Sequence, residues 1–520
     1  MKKLPLGIQV FSEIIEDDYV YIDKTKEAFE LITDYKYVFL SRPRRFGKSL
    51  FLDTLSEIFK GSKQLFEGLY IEDKYSFEEH PVIHISFGSG NFETRKEFNQ
   101  FLYEKLYFNQ ENLEIKCPDN FSISGCFEYL IKKAYEKYEK KVVVLIDEYD
   151  KPILDNIDNF KEVDGRKQDL KNFYSVLKDS NQYLRFVFLT GVTKFAKVSI
   201  FSGLNNIKDI TLNPKYGNIC GYTQKDVETT FQPYLKGVDM EKLKLWYNGY
   251  NFLKDKVYNP YDILLFIDEE CEYKNYWFGT GNPSFLIKLI KQQNYFMPGL
   301  ENIIAGDELL DSFDPENINM ETLLFQSGYL TVKEKIQIGS KIKYSLKIPN
   351  KEVKMSLNDR ILIMLINNRS KVSNSQDKAF YALRDSNLED FKTTLISLFA
   401  SLPYESYAKN NIYVYEGFYS NIVYTYLASL GFPVSVEEST NKGRLDMSIL
   451  INNNRYVFEF KVGNENALNQ IKQNTYWEKF LNEGSNIYLV GINFNKEEKN
   501  ISNFEWEKLH KNFSNSLDLG

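Results

Sequence analysis

The chain has 520 residues, 43% of them hydrophobic and 26% charged, and a net charge of −7. That length suits about two to four domains, and the composition is that of a globular protein able to bury large cores. The acidic balance excludes an overall basic footprint and leaves only locally basic channels for a nucleic-acid partner. The 40 Phe and 37 Tyr read as an AT-rich coding bias. The four cysteines, Cys117, Cys126, Cys220 and Cys271, form no Cys-x-x-Cys, and with His80, His84 and His510 they supply no zinc constellation. A reducing, cytoplasmic compartment is therefore expected. The start, Met1-Lys-Lys-Leu-Pro-Leu-Gly7, lacks the apolar core of a signal peptide, and runs such as Val142–Ile146 are too short to span a bilayer. The expectation is a soluble protein with no membrane partner.

In chain order, Asp17-Asp-Tyr-Val-Tyr-Ile-Asp-Lys-Thr25 reads as a strand-like run leading into a helix. Tyr37–Leu40 has strand length and composition, and Leu50, Phe51, Leu55, Ile58 and Phe59 recur at helical spacing up to Gly61. Between them lies Ser41-Arg-Pro-Arg-Arg-Phe-Gly-Lys-Ser49. A strand, a turn ending in Gly-Lys-Ser and a helix are what a phosphate-binding loop requires. The helix start offers free N–H groups, Lys48 reaches the β/γ-phosphates and Ser49 holds Mg²⁺. Arg42 stands where the general pattern has glycine. Arg44 and Arg45 either face phosphate or are simply exposed.

Pro81–Ser86 is a second strand, Cys126–Lys140 a helix, and Val142–Ile146 a third strand delivering Asp147 and Glu148 at its C-terminal end. In a phosphate-loop enzyme the Asp serves the Mg²⁺ and the Glu polarises the attacking water, although a strand ending in Asp-Glu also arises by chance. Leu184–Gly191 is a fourth strand. Thr190-Gly-Val-Thr193, with Lys194 and Lys197, either places a polar sensor beside the γ-phosphate or is a turn with solvated lysines. Continuous apolar strands alternating with helices predict an α/β fold around a parallel sheet covered on both faces.

Three domains are expected: 1–214 with the phosphate loop, 215–385 as a mainly helical lid, and 386–520. Aromatic-rich turns mark the middle one: Trp246–Tyr250, Tyr258–Pro260 and Trp277–Pro283. The polar stretch Asn367–Gln376 reads as a boundary or loop. The last domain opens with a helix near Glu416–Leu430. Strands Pro433–Glu437, Arg444–Ile451 and Arg455–Val462, a helix Ala467–Leu481 and a strand Asn486–Ile492 follow, giving the order αβββαβ.

In that domain Glu459 and Lys461 share one strand face while Phe458 and Phe460 fill the other. Asp446 lies on the preceding strand, brought alongside by a turn at Asn452–Asn454. Two carboxylates hold a hard cation with open water positions. Such a cation lowers the pKa of bound water, and a lysine orients it or neutralises developing charge. Alternation of charged and apolar residues on any half-exposed strand is the plain alternative. Residues 401–520 carry 11 Lys/Arg against 14 Asp/Glu, so a nucleic-acid groove must be basic locally, with Lys442, Arg444 and Lys472 as its candidates.

Arg42-Pro-Arg-Arg-Phe-Gly-Lys-Ser-Leu50, Asp147-Glu-Tyr-Asp150 and Thr190-Gly-Val-Thr-Lys-Phe195 together resemble the AAA-ATPase-like family of bacterial proteins. Phe201–Asn206, Trp246–Tyr250, Phe325–Leu330 and Ile348–Asn350 fit the same family, over about residues 1–360. The resemblance makes Arg42 a family trait. It implies ATP and Mg²⁺ as cofactors, with Arg44, Arg45, Phe46, Gly47, Lys48, Ser49, Leu50, Asp147 and Thr190 around the nucleotide and Glu148 in hydrolysis. Residues 405–495 resemble the PD-(D/E)XK nuclease superfamily. Asp446, Glu459 and Lys461 match its core motif, Glu416 its helix-borne acid and Gln470 its helix position, while Leu445 replaces the usual proline. This implies a nucleic-acid partner, DNA before RNA, and a second metal at Asp446 and Glu459.

Three readings follow: an ATPase gating a Mg²⁺-dependent nuclease, an ATPase switch whose C-terminal domain only binds nucleic acid or protein, and a nucleotide-responsive scaffold without turnover. A homo-oligomer is compatible with each. The sequence names neither the arginine finger nor the substrate form.

Overall fold

The computed structural model describes residues 1–90, 92–156, 160–194, 206–277, 286, 290, 297–301, 303–306, 319–402, 416–440 and 443–509. Phe195, Lys197, Phe201–Asn205, the 278–283 part of the third aromatic turn and Lys442 lie outside the described residues. The chain divides into two compact units, Met1–Leu286 with Asn302–Glu352, and Ile287–Glu301 with Val353–Gly520.

The first unit is built on five parallel strands, β1 (Tyr37–Ser41), β2 (Val82–Ser86), β3 (Val142–Asp147), β4 (Leu184–Gly191) and β5 (Lys208–Asp209), in the order β2-β3-β4-β1-β5. Every residue of β1 and β3 is buried, as continuous apolar strands in a doubly covered parallel sheet must be. The helix Lys48–Phe59 follows β1 directly and buries Phe51, Leu52, Leu55, Ile58 and Phe59. The helices Arg95–Leu113, Ile123–Tyr138 and Phe160–Asp179 complete the layers.

The run Asp17–Thr25 is a correction. It forms no strand beyond a single bridge between Lys3 and Tyr19. Instead, Asp23 accepts from the Thr25 amide at 2.8 Å and its hydroxyl at 2.7 Å, and the helix Thr25–Asp34 starts there. A local side-chain bond to backbone outcompetes an extended run. Beyond the sheet, helices are joined by two small antiparallel sheets that the sequence reading did not foresee. They are β6 (Tyr222–Thr223), β7 (Asn248–Tyr250) and β8 (Val257–Tyr258), and β9 (Ile303–Gly306), β10 (Thr331–Ile338) and β11 (Lys341–Lys347).

In the second unit Asn367–Gln376 is mostly helix rather than loop. Asn368 caps the helix Arg369–Arg384 by accepting from the Lys371 amide at 3.0 Å, so the polar residues mark a helix start. A five-stranded mixed sheet follows: β12 (Val434–Thr440), β13 (Gly443–Ile451), β14 (Asn454–Val462), β15 (Asn486–Asn495) and β16 (Asn500–Leu509), in sequential order. β14 and β15 run parallel, bridged by the helix Ala467–Asn474. The expected longer helix breaks at Thr475, whose φ is 45°, and continues as a 3₁₀ turn over Tyr476–Glu483. β16, an antiparallel edge, was not anticipated.

Candidate functional site

Two constellations form, one in each unit. In the first, Gly47 caps the helix Lys48–Phe59 at φ 86°, with nothing within 4 Å of where a Cβ would stand. A left-handed glycine there lets the chain turn tightly and leaves an open cradle at the helix start. Lys48 is buried, and its ammonium donates to the Arg42 and Pro43 carbonyls at 3.0 and 2.9 Å. Burial lowers its pKa, opposed by Asp147 and Glu148.

Asp147, at the end of β3, collects two hydroxyls, Ser49 at 2.6 Å and Thr190 at 2.5 Å. β1, β3 and β4 therefore deliver Lys48, Ser49, Asp147 and Thr190 to one end of the parallel sheet, where ligands bind in such sheets. Glu148 follows at φ 53°, and its pKa is raised by burial and then by Asp147. Its carboxylate lies 3.5 Å from the Cβ position of Gly88, ordinary contact distance. Asp150, quoted in the sequence motif without a role, is buried and accepts from the amides of Val192 and Thr193 and from the Thr193 hydroxyl. It fixes the loop after β4. Lys194 pairs with Asp209 at 3.1 Å, which removes it from the solvated-turn reading.

Arg42 does no phosphate chemistry. It is 1% exposed, donates to Thr211 O at 2.8 Å and Tyr216 O at 3.2 Å, and stacks on Phe252 at 3.8 Å. Burial lowers its pKa to about 10. It is a strut beneath the loop. Phe46 likewise turns inward, edge-on to Tyr250 at 4.8 Å, so only its backbone is available to a ligand. Arg44 and Arg45 are exposed, and Arg45 stacks on Tyr261 at 4.2 Å. Leu50 lines a mostly apolar cavity of about 60 Å³ with Gly47, Tyr21, Lys24, Ile219 and Tyr222.

The distant aromatic motifs back this loop. The Cβ position of Gly328, whose φ is 91°, lies 2.7 Å from Pro43. Gln326 accepts from the Lys194 amide at 2.8 Å, and Tyr250 and Phe252 face Phe46. Behind them Asp262 and Glu352 are fully buried and bond carboxyl to carboxyl, and among the described residues three of their four oxygens find no partner outside the pair. The fourth, Glu352 Oε1, accepts from Trp277 N at 2.8 Å. Burial raises the Glu352 pKa to about 7 and places that of Asp262 well above the carboxylate range. Nothing in the sequence pairs these two carboxyls. Only the Asn259-Pro-Tyr-Asp262 helix start, with Asn259 as cap, hinted at an ordered Asp262.

In the second unit a two-residue turn at Asn452 and Asn453 joins β13 to β14, and the register runs to Met447 opposite Phe458. The next position carries Asp446 toward Glu459, and Asp446 Oδ2 accepts from the Phe460 amide at 2.9 Å. Lys461 Nζ lies 3.3 Å from Glu459, 3.1 Å from Glu416 and 2.8 Å from the Phe460 carbonyl. Burial pulls its pKa down, but Glu459, Glu416 and Asp446 together hold it above its ordinary value. Glu459 is 1% exposed, and among the described residues its Oε2 has no hydrogen-bond partner. Burial, then Asp446, raises its pKa to about 8. Gly491, paired with Glu459 in register, lets the helix Ala467–Asn474 pack so closely that a Cβ would fall 2.3 Å from Leu468 N. Gln470 is half-buried on that helix, and among the described residues no hydrogen bond joins its side chain to Asp446, Glu459 or Lys461. Asp446, Glu459, Lys461 and Glu416 are thus brought together, and Gln470 lies on the helix packed against the strand of Glu459 and Lys461.

Residues 5–201 match the family described as Predicted AAA-ATPase, and residues 414–504 match the PD-(D/E)XK nuclease superfamily. The chain belongs to the AAA-ATPase-like family and carries a PD-(D/E)XK nuclease superfamily domain. It is 42% identical over 514 residues to the "Uncharacterized protein in vnfD 5′region" of Azotobacter chroococcum mcd 1, covering 98% of this chain and 99% of that one. The AAA-ATPase-like domain and the nuclease domain are those of an ATPase and a nuclease-like protein in general terms. The cysteines need a correction: Cys117 and Cys126 are joined by a disulfide, and only Cys220 and Cys271 are free. Among the described residues no helix is long and apolar enough to cross a membrane.

Proposed function

We propose that this AAA-ATPase-like protein binds and hydrolyses ATP and that the nucleotide controls a Mg²⁺-dependent centre that cleaves nucleic-acid phosphodiester bonds, in DNA before RNA. The observation that carries the cleavage reading is the unpartnered, buried oxygen of Glu459 beside Asp446 and Lys461. A buried anionic oxygen without a donor is unfavourable unless a proton or cation satisfies it, and two carboxylates suit a hard divalent ion. Asp446 and Glu459 would hold that ion, whose chemistry is to lower the pKa of a bound water. Lys461 supplies positive charge next to the scissile phosphate, and Glu416 keeps its ammonium oriented.

At the phosphate loop the ammonium of Lys48 leaves the Arg42 and Pro43 carbonyls for the β/γ-phosphates. The amides from Phe46 to Ser49 receive phosphate oxygens, and Ser49 with Asp147 fits a Mg²⁺ ion. Thr190 orients Asp147, Glu148 positions the attacking water, and Arg44 and Arg45 stand within reach of phosphate. Leu50 borders the nucleotide beside the small apolar cavity. This reading divides the chain into a phosphate-loop domain over 1–214, a lid over 215–385 and a nuclease-like domain over 386–520.

A cleavage assay over single- and double-stranded DNA and RNA, with and without ATP and with Mg²⁺ or Mn²⁺, tests it. Cleavage by the intact protein should vanish in Asp446→Ala and lose its ATP dependence in Lys48→Ala. No cleavage of any substrate, with ATP turnover intact, sinks the nuclease reading. That outcome favours an ATPase switch with a C-terminal binding domain, an alternative supported by the raised pKa of Glu459, which keeps the carboxyl protonated near neutral pH without metal.

A further inference from the structure

Cys117 and Cys126 bridge the connection between the helices Arg95–Leu113 and Ile123–Tyr138. Their Cα atoms are 5.6 Å apart, the usual spacing for a disulfide. Neither position depends on the bond. The Cys117 amide donates to Gln110 Oε1 at 2.6 Å. Cys126 sits in the first turn of its helix, where its amide donates to Ser122 O at 2.8 Å and the Ser122 hydroxyl accepts from Gly125 N at 3.1 Å. After reduction the backbone still holds the two thiols within bonding range. Both cysteines also line a cavity of about 540 Å³ open to solvent, walled by Tyr107, Gln110 and Phe121. Both residues are only 8% exposed, so a small thiol would approach them through that cavity. Cys220 and Cys271 differ, since both are free and burial raises their thiol pKa, which makes them poor nucleophiles.

We propose that Cys117–Cys126 is a reversible redox site, opened by a dithiol donor and closed again by a small-molecule disulfide. In opening, a donor thiolate attacks one sulfur, the S–S bond breaks and a mixed disulfide forms as the other cysteine leaves as thiolate. The donor's second thiol then displaces the first cysteine. The donor ends as a disulfide, both cysteines end as thiols, and two electrons and two protons have been transferred. Closure runs the same exchange backwards, with the oxidant's disulfide reduced to two thiols.

The test counts alkylated cysteines in the full-length chain, which has four. Purified without reductant, then denatured and treated with a maleimide, the protein should carry two adducts. Incubation of the native protein with dithiothreitol before alkylation should give four, and transfer of that reduced protein into oxidised glutathione should restore two. Cys117→Ser should give three adducts without any reductant, and this variant keeps the count interpretable. No Lys or Arg separates the two cysteines, so one tryptic peptide carries both and reads about 2 Da light when bonded. Four adducts in the untreated protein overturn the proposal because the bond is not formed. Two adducts after native dithiothreitol overturn it because the bond is sealed, and failure to return to two overturns its reversibility.

Discussion

The phosphate loop and the β13–β14 hairpin both set a lysine beside strand-borne carboxylates, yet they satisfy it in opposite ways. Lys48 rests on two backbone carbonyls while Asp147 is occupied by two hydroxyls. Lys461 rests on two carboxylates and a carbonyl, and Glu459 keeps one buried oxygen unpartnered. The first site is closed upon itself, and a ligand must outcompete charge-assisted hydrogen bonds that are already made. The second carries an unmet electrostatic demand that a proton or a cation relieves. Polar saturation is therefore a better guide to what each site awaits than the residue types, which are nearly the same.

The comparison breaks most visibly at the lysines and carboxylates. Lys461→Ala or Asp446→Ala is expected to reduce nuclease turnover by about 10²–10³-fold, read as initial cleavage rate, with ATP hydrolysis unchanged. Lys48→Ala is expected to lower phosphate release from ATP by a similar factor while the metal-dependent site stays intact. Equal loss of ATP hydrolysis and cleavage in Lys461→Ala or Asp446→Ala would merge the two sites.

Arg42→Gly tests whether the closed site depends on its strut. The substitution introduces the glycine of the general phosphate-loop pattern, and is expected to destabilise the protein by about 2–4 kcal/mol. It removes two long-range carbonyl partners and the stack on Phe252. Denaturant melts compare it with wild type; unchanged stability would show that the strut carries nothing.

The buried pair Asp262–Glu352 gives a pH test. The folded pKa of Glu352, about 7, lies above its ordinary value of 4.5. Its contribution to stability is complete below that ordinary value and is lost as the pH rises through about 7. The loss is on the order of 3 kcal/mol. Melting midpoints measured from pH 4 to pH 8 should fall for wild type and fall less for Glu352→Gln, which retains an acceptor for Trp277 N. A steeper fall in the variant would place the titration elsewhere. The smallest effect is expected from Gly328→Ala, about 1–3 kcal/mol, because a methyl group would meet Pro43 at a positive φ. Weaker nucleotide binding in that variant, measured by titration calorimetry, would tie the later segment to the loop.

The parts of the fold written in short-range pattern were readable. Continuous apolar runs gave β1 to β4, and alternation around Phe458 and Phe460 set Glu459 and Lys461 on one face. Local polar chemistry misled in two places, since Asp23 and Asn368 start helices where extended chain or loop was expected. The long-range side of the first site could not be read. No pattern around Arg42 reveals that Thr211, Tyr216 and Phe252 surround it. Nor does sequence spacing show that Asp262 and Glu352 meet. The disulfide was missed because its cysteines stand nine positions apart, and only the chain reversal between two helices closes that gap. Gln470 shows the reverse case, a matched motif position that makes no hydrogen bond to the residues it was matched with.

The first unit is discontinuous along the chain, ending with Asn302–Glu352, and this has a consequence during synthesis. Gly328, which abuts Pro43, is translated some 280 residues after the loop it supports, and Glu352, behind Tyr250, is translated later still. A nascent chain that has just released the parallel sheet has Lys48 and Asp147 in place but lacks the wall behind Phe46 and Pro43. Competence for nucleotide should therefore arrive late and abruptly, as residues near 352 leave the ribosome, and fragments ending near residue 214 should carry the phosphate-loop sequence without its finished shape.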